Sequence, residues 1–551
     1  MKRTLLYFLV FLCVSSVCAK ERTLEQKKAI ASRLLDKGNV RLHSRASESD
    51  VMELKEMSDL TVMGYEKGGF VIVSNDDRNN PYIGYSNNLI DMKSPEFNWY
   101  LTMANTALKE ASTYKAISAK APIEPLLETT WGQDTPYNDL CPSERDNANN
   151  KYPTGCVATA MAQVMYYHKY PEKGIGKVIY SFQDRILEAD FNNTTYQWAN
   201  MLPSYTKGNY TDESALAVST LMYHCGASIK MQYNTGGSGA YTYNAATALR
   251  QNFGYHKNLQ IHYRDYYTTK EWMNLIYNEL QAGRPLIYSG ADERNGGHCF
   301  ILDGYDAKNL VHVNWGWDGK NDGYYDIALL NPASYQFSLQ QTVLCGVDKP
   351  TADVEYQPEV VTDGNFKVTK LGSKRMLISD DKYANLSDLS FTGTLAYILE
   401  GNGQQYVLLS QENTEIYNMY YLTKPSTHTC TLPTGLKDGT YRVYPAVKEV
   451  RKDAWFPVHF VEGNNNSYIV EISNGTIDSA PEPVTDTDWH ETTGVFPILS
   501  TSSSASPYTY IYNMQGQEVY RENTTDFNID NVTAHGILIM KQGNKTQKII
   551  K

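Results

Sequence analysis

Apolar and polar positions change their period several times along the chain, and each change predicts a different kind of element. Helical spacing predicts a helix over Leu24–Leu35, and period-two runs predict strands over Leu60–Tyr65 and Phe70–Ser74, turned across Gly68 and Gly69. A second helix is expected over Pro95–Tyr114. The stretch Lys115–Pro122 then reads as an exposed connector with little to pack, open to proteolysis and a candidate activation site. Helical and strand signals alternate from about 121 to 350. Beyond Pro350, short alternating strands such as Leu395–Leu399, Tyr406–Ser410 and Thr440–Val447 are separated by Gly, Asn and Asp turns, which predicts an immunoglobulin-like β-sandwich over 351–480. Residues 481–507, rich in Pro, Thr and Ser, read as a linker. A small β module is expected over 508–551, with strands Tyr508–Asn513, Gly536–Lys541 and Thr546–Lys551.

The amino terminus follows a different pattern. Lys2 and Arg3 precede the apolar run Leu5–Val14 and a small-residue stretch ending Val17-Cys18-Ala19, the shape of a cleaved export signal over 1–19. That run is too short to span a bilayer comfortably and no other long apolar stretch follows, so the expectation is a secreted or cell-surface protein without a membrane span. Acylation of Cys18 is the variant reading, and Val17 disfavours it. A chain of 551 residues, with 42% hydrophobic and 20% charged residues and a net charge of −11, is an ordinary multidomain globular chain. It shows no basic patch, which argues against nucleic acid. Its 43 tyrosines suit half-buried sheet surfaces. Without the export segment six cysteines remain, at 141, 156, 225, 299, 345 and 430, and none are paired at metal-binding spacing. Neither a metal, a cofactor nor a disulfide scaffold is expected.

One thiol has a special setting. In Pro153-Thr-Gly-Cys156-Val-Ala-Thr-Ala-Met-Ala-Gln163, Gly155 breaks the chain before an Ala-rich helical run, so Cys156 is expected at a helix N-terminus, where unpaired amides favour a thiolate. For a lone cysteine a buried structural role is the commoner reading. A thiolate nucleophile needs a histidine within hydrogen-bond reach. His168 lies twelve residues along the same helix, roughly 18 Å away at 1.5 Å per residue. His298 follows Gly296 and Gly297 and leads into an apolar strand, which holds an imidazole at a cleft edge. A second strand, Leu310–Asn314, is expected to place the Asn314 amide beside that ring, with Trp315 or Trp317 shielding the bond. His312 shares the face of Asn314 and is a rival base. The Cys156 amide and the Gln133 side chain are candidate donors to a substrate oxyanion.

Together these segments resemble the streptopain-like, papain-fold cysteine peptidases, including the interpain-type enzymes of Bacteroidetes. The resemblance runs over about 20–350 and rests on Trp131-Gly-Gln-Asp-Thr-Pro-Tyr-Asn138, Thr154–Gln163, Cys225-Gly-Ala, Gly236–Ala240, Gly297–Tyr305 and His312–Trp317. It implies a nucleophile at Cys156, a base at His298, an orienting and shielding pair at Asn314 and Trp315, and an oxyanion donor at Gln133. Residues 20–120, through Gly69–Arg78 and Ile83–Ser86, resemble the family's prosegment, which implies an intramolecular inhibitor and a latent zymogen. Gly237, Ser238, Gly239, Gly297 and Trp317 are substrate-cleft candidates. Two departures stand out: Cys299 where Ala is more usual, adding a second thiol open to an inactivating disulfide, and Asp318 where Gly is usual. The tail from Tyr508 resembles carboxyl-terminal sorting modules, which implies secretion machinery or surface attachment as a partner.

The expected architecture is therefore multidomain: an α+β prosegment, a two-lobed α+β papain-like catalytic domain over 121–350, a β-sandwich and a small β terminal module. The expected reaction is endopeptidase cleavage of protein or peptide substrates through a thioester. The alternatives are a papain-like surface adhesion protein that has lost catalysis, and an amidase acting on cell-wall peptides.

Overall fold

The computed structural model describes residues 21–35, 51–110, 121–145, 147–292, 296–330, 341–352, 359–387, 389–418, 420–422, 426–450, 452–461 and 463–485, together with four strands beyond 507. The expected export signal and most of the expected connector lie outside the described residues. The N-terminal segment contributes α1 (Leu24–Leu35), β1 (Met52–Glu56), β2 (Leu60–Gly64), β3 (Phe70–Ser74), β4 (Tyr82–Ser86) and α2 (Pro95–Glu110). Next come α3 (Cys156–His168), the hairpin β5 (Lys177–Phe182) and β6 (Arg185–Asp190), α4 (Asp212–Ser228), α5 (Thr242–Gln251), β7 (Gln260–Tyr263) and α6 (Thr269–Gln281). The strands β8 (Leu286–Asp292), β9 (Gly296–Tyr305), β10 (Val311–Asn314), β11 (Gly323–Tyr325) and β12 (Thr342–Cys345) complete this part.

Ten of these strands form one sheet in the order β1-β2-β3-β4-β11-β10-β9-β8-β12-β7. The N-terminal strands continue the downstream sheet directly, with Tyr85 opposite Tyr324 and Gly84 opposite Tyr325. Side chains alternate across a strand, so each run feeds two layers. Phe70, Ile72, Tyr288, Phe300 and Leu302 join the core beneath α2 and α6, whereas Ile287, Cys299, Ile301 and Leu344 join the core around α3, α4 and α5. At the sheet's N-terminal end, Val71 and Val73 turn instead to Ala31 and Leu35 of α1. Ser94 caps α2 by accepting the Phe97 amide at 3.2 Å, and Pro95 sits at its first turn, where a missing N–H costs nothing. Phe97, Leu101 and Leu108 anchor the helix, each contributing on the order of 2 kcal/mol by burial.

From 359 to 485 the regular elements among the described residues are all β. A four-stranded, a three-stranded and a seven-stranded sheet share one apolar core that includes Phe366, Ile378, Leu399, Val443 and Ile472. Val361 and Ala384 instead lie in the core beneath α2 and α6, so apolar packing is continuous across the boundary expected at 350. Strand Glu482–Val484 pairs with Ser467–Ile469 inside the stretch expected to be linker. Residues 488–551 form a separate compact unit. Its antiparallel sheet contains the three expected strands plus Glu518–Asn523, whose alternation is masked by its charges. Strands β1 and β4 were likewise not read from the sequence, because Met-Glu-Leu-Lys-Glu and Tyr-Ile-Gly-Tyr-Ser carry too few apolar residues to announce themselves.

Asp303, fully buried on β9, ties the sheet to the chain that enters it from the N-terminal segment. It accepts from the Leu127 amide at 3.0 Å and pairs with His312 Nδ1 at 2.6 Å. The His312 pKa is raised: burial, the largest single influence, lowers it, but the charge and hydrogen bond of Asp303 together with the Asp322 and Glu124 charges outweigh that. The resulting stabilisation is present in full below the ordinary imidazole value of 6.5 and is lost as pH rises through the raised value. Replacing Asp303 with Ala strands His312 and the Leu127 amide, and urea unfolding is expected to show a loss of about 3–5 kcal/mol at pH 6.

Candidate active site

The helix that begins at Cys156 starts abruptly for a backbone reason. Gly155 has φ +89°, and a Cβ there would lie 2.6 Å from the Met231 methyl and 2.9 Å from the Ser238 carbonyl oxygen. Ser238 in turn donates its hydroxyl to the Pro153 carbonyl at 2.7 Å, fastening the Gly236–Gly239 loop to the approach of the helix. The half-buried Cys156 side chain thus faces a cavity of about 840 Å³. The cavity also takes in His298, Gly297, Ser238 and Gly239, together with Val157, Ile229 and Ile261. Among the expected cleft residues, Gly237 and Trp317 do not line it. His168 is remote, as its sequence distance predicts, and its Nε2 donates to the Val347 carbonyl at 3.1 Å.

His298 is buried, and it does not bond to Cys156. Strand alternation turns it with Phe300 toward the face covered by α2, while Cys299 turns toward α3. Its Nδ1 lies 3.2 Å from the Glu96 carboxylate of α2, and its ring packs tilted against Trp99 of the same helix, with centroids 5.9 Å apart. Gly290, the partner of His298 across β8 and β9, makes room for that indole, since a Cβ there would sit 2.7 Å from it. Ser94 Oγ donates to the other Glu96 oxygen at 3.1 Å and fixes the carboxylate. His298 Nε2 has no hydrogen-bond partner among the described residues. Neither Glu96 nor Trp99 was singled out in the sequence; only Glu96 in the first turn of a capped helix gave a local sign.

The expected low thiol pKa is not what this arrangement produces. Burial pushes the Cys156 thiol up to about 11, the Glu96 charge adds to the rise, and the main-chain amides of Cys299 and Val157 offset only part of it. Cys299, buried and free, lines the same cavity, and its main-chain N–H points to the Cys156 sulfur.

Asn314 is also placed differently from expectation. It sits opposite Ile301 on β9, three residues along from His298. Its amide is committed elsewhere, donating to the Thr129 carbonyl at 2.7 Å and exchanging hydrogen bonds with Gln163. Gln163 also accepts the Trp131 amide at 3.2 Å, so this pair holds the strip 129–131 against α3. Gln133 follows on that strip; its carbonyl accepts the Thr154 amide at 3.0 Å, and its buried side-chain Nε2 has no partner among the described residues. Trp315 is buried against Phe300 and Tyr325, in the core rather than over the His298 ring. Asp318, at φ +53°, occupies a left-handed position that suits Gly or Asp, and its carboxylate packs on Gly132 beside Gln133.

Residues 131–325 match the model of the peptidase C10 family. Streptopain from Streptococcus pyogenes is 33% identical over 303 residues, covering 50% of this chain and 76% of that protein. The thiol protease/hemagglutinin PrtT of Porphyromonas gingivalis is 33% identical over 333 residues, 54% of this chain and 37% of that longer protein. A solved prointerpain A fragment from Prevotella intermedia is 41% identical, covers 54% of this chain and 98% of its own, and superposes with a TM-score of 0.50.

The buried thiol yields a prediction about reactivity. In the unprocessed protein, iodoacetamide labelling of Cys156 is expected to be slow at pH 7 and to climb about tenfold per pH unit up to pH 10. Glu96→Gln is expected to speed it at every pH below that. Mass-spectrometric labelling rates check both.

Proposed function

The chain belongs to the peptidase C10 family and is a cysteine-type peptidase, and from that premise we propose that it is a secreted endopeptidase made as a latent zymogen. In this reading 20–120 is the inhibitory prosegment, 121–350 the two-lobed papain-like domain, 351–480 an immunoglobulin-like sandwich and 508–551 a sorting-type module. The observation that carries it is the shared cavity of Cys156 and His298, with the imidazole paired to Glu96. Latency then has an electrostatic and a steric part: the thiol stays protonated, and the base is engaged by Glu96 and covered by Trp99. The likeness to a prointerpain fragment, a precursor form, supports the zymogen.

Once α2 departs, His298 loses both its carboxylate partner and the indole that pins it, and its ring is free to rotate toward Cys156. His298 takes the thiol proton as sulfur attacks the scissile carbonyl, then gives that proton to the leaving amine. The thioester is hydrolysed by a water that His298 activates. The Gln133 Nε2, buried and without a partner among the described residues, together with the Cys156 amide, accommodates the oxyanion in both steps. Asn314 acts through Gln163 and the 129–131 strip to place Gln133, and no metal or cofactor enters. Export is supported by the Leu5–Val14 segment; among the described residues no helix is long and apolar enough to cross a membrane.

The test compares purified precursor with its Cys156→Ala variant, following self-processing and labelling by a thiol-reactive peptide. Wild-type protein is expected to convert and label while the variant does neither; an unlabelled, unconverted wild type would falsify the reading. In the processed enzyme, Gln133→Ala is expected to lower kcat by about 10²–10³ with KM little changed.

A further inference from the structure

A second cluster of buried ionisable groups lies on the back of the cavity wall. Strand β7 is the outermost strand of the ten-stranded sheet, hydrogen-bonded only to β12. Its Ile261 and Tyr263 line the cavity on one face. The alternate residues Gln260 and His262 point the other way and are buried. There His262 Nδ1 meets the Glu359 carboxylate at 3.1 Å and the Tyr267 hydroxyl at 2.8 Å. Tyr267 donates to the same carboxylate, with 2.7 Å to Oε1 and 2.8 Å to Oε2, and Gln260 Nε2 lies 3.2 Å from His262 Nε2.

Glu359 comes from the β region, not from the peptidase part. It immediately precedes strand Val360–Thr362, in which Val361 pairs with His459. His459 closes the cluster from above, its ring 4.8 Å from Tyr267 and its Nδ1 3.2 Å from the Tyr266 carbonyl oxygen. A carboxylate that is 2% exposed stays charged only when donors surround it, and both of its donors stand on or just after β7. Among the described residues one side of β7 has no neighbouring strand, and this clasp braces the strand from behind.

We propose that the β region is a working part of the substrate site: Glu359 is a positioning residue that, through His262 and Tyr267, sets the β7 wall presented by Ile261 and Tyr263. The proposal rests on the cavity being the peptidase cleft. It makes the β region a determinant of substrate affinity and gives Glu359 no contact with the reacting atoms.

Kinetics of the processed full chain on a quenched-fluorescent peptide that it cleaves, with hydrogen exchange alongside, provide the test. Glu359→Ala is expected to raise KM about tenfold with kcat within about twofold, and Glu359→Gln, which keeps an acceptor for Tyr267, to recover most of the affinity. Exchange over 260–263 is expected to quicken in Glu359→Ala. The comparison variant is Asp380→Asn, which disturbs a buried carboxylate bonded to Tyr383, Tyr397 and Ser426 deep in the same β region. It is expected to lower stability without moving KM or exchange in β7. Wild-type KM and exchange in Glu359→Ala, or an equal rise of KM in Asp380→Asn, overturn the proposal. A wild-type chain without turnover and with unlabelled Cys156 sinks the peptidase reading alone, since exchange over β7 still decides the clasp.

Discussion

The main-chain pairing of β4 with β11 governs what can happen at the candidate site, because it makes the N-terminal strands an extension of the sheet that carries His298. Once the two segments share a sheet, α2 has only one apolar layer to cover, and that layer is the face toward which Phe300, Leu302 and His298 all point. The contact of Glu96 and Trp99 with the imidazole therefore follows from strand registry and side-chain alternation. A helix anchored by several large buried side chains presents a carboxylate at a fixed height above the sheet, and Ser94 keeps it there.

Two opposing influences meet at Cys156, and their sizes decide its state. A helix N-terminus favours an anion by typically 0.3–1 kcal/mol. Removal of water from the thiolate and the nearby Glu96 charge work against it and prevail, so the thiol is held near 11. Of these two contributions, the Glu96 charge is carried by α2. The charge beside the sulfur is thus supplied by a segment about sixty residues upstream of the helix that bears the cysteine.

Beyond 350, the distribution of apolar contacts argues against an independent appendage. Val361 and Ala384 are buried in the core beneath α2 and α6, and Glu359 sits in a closed cluster with His262 and Tyr267. The terminal unit over 488–551 is different in kind, since it forms a sheet of its own.

Amino-acid order by itself determined the local features: the glycine break before Cys156, the glycine-preceded strand at His298, the two N-terminal helix starts and the strand-rich character after 350. Each depends on backbone preference or on periodicity within about ten residues, and such signals survive without tertiary context. Only the tertiary structure decided who meets whom. Glu96 and His298 are separated by about two hundred positions, and nothing local to either marks a partner. Asn314 was read as a companion of His298 from strand spacing, but a register that sets it opposite Ile301, and a buried Gln163 that satisfies its amide, give it different neighbours. The thiol's ionisation likewise reversed, because burial and the charge of Glu96, sixty positions upstream, both raise its pKa. Spacing along one strand is encoded in order, whereas registry between strands and removal of water are settled only when distant surfaces compete to be buried.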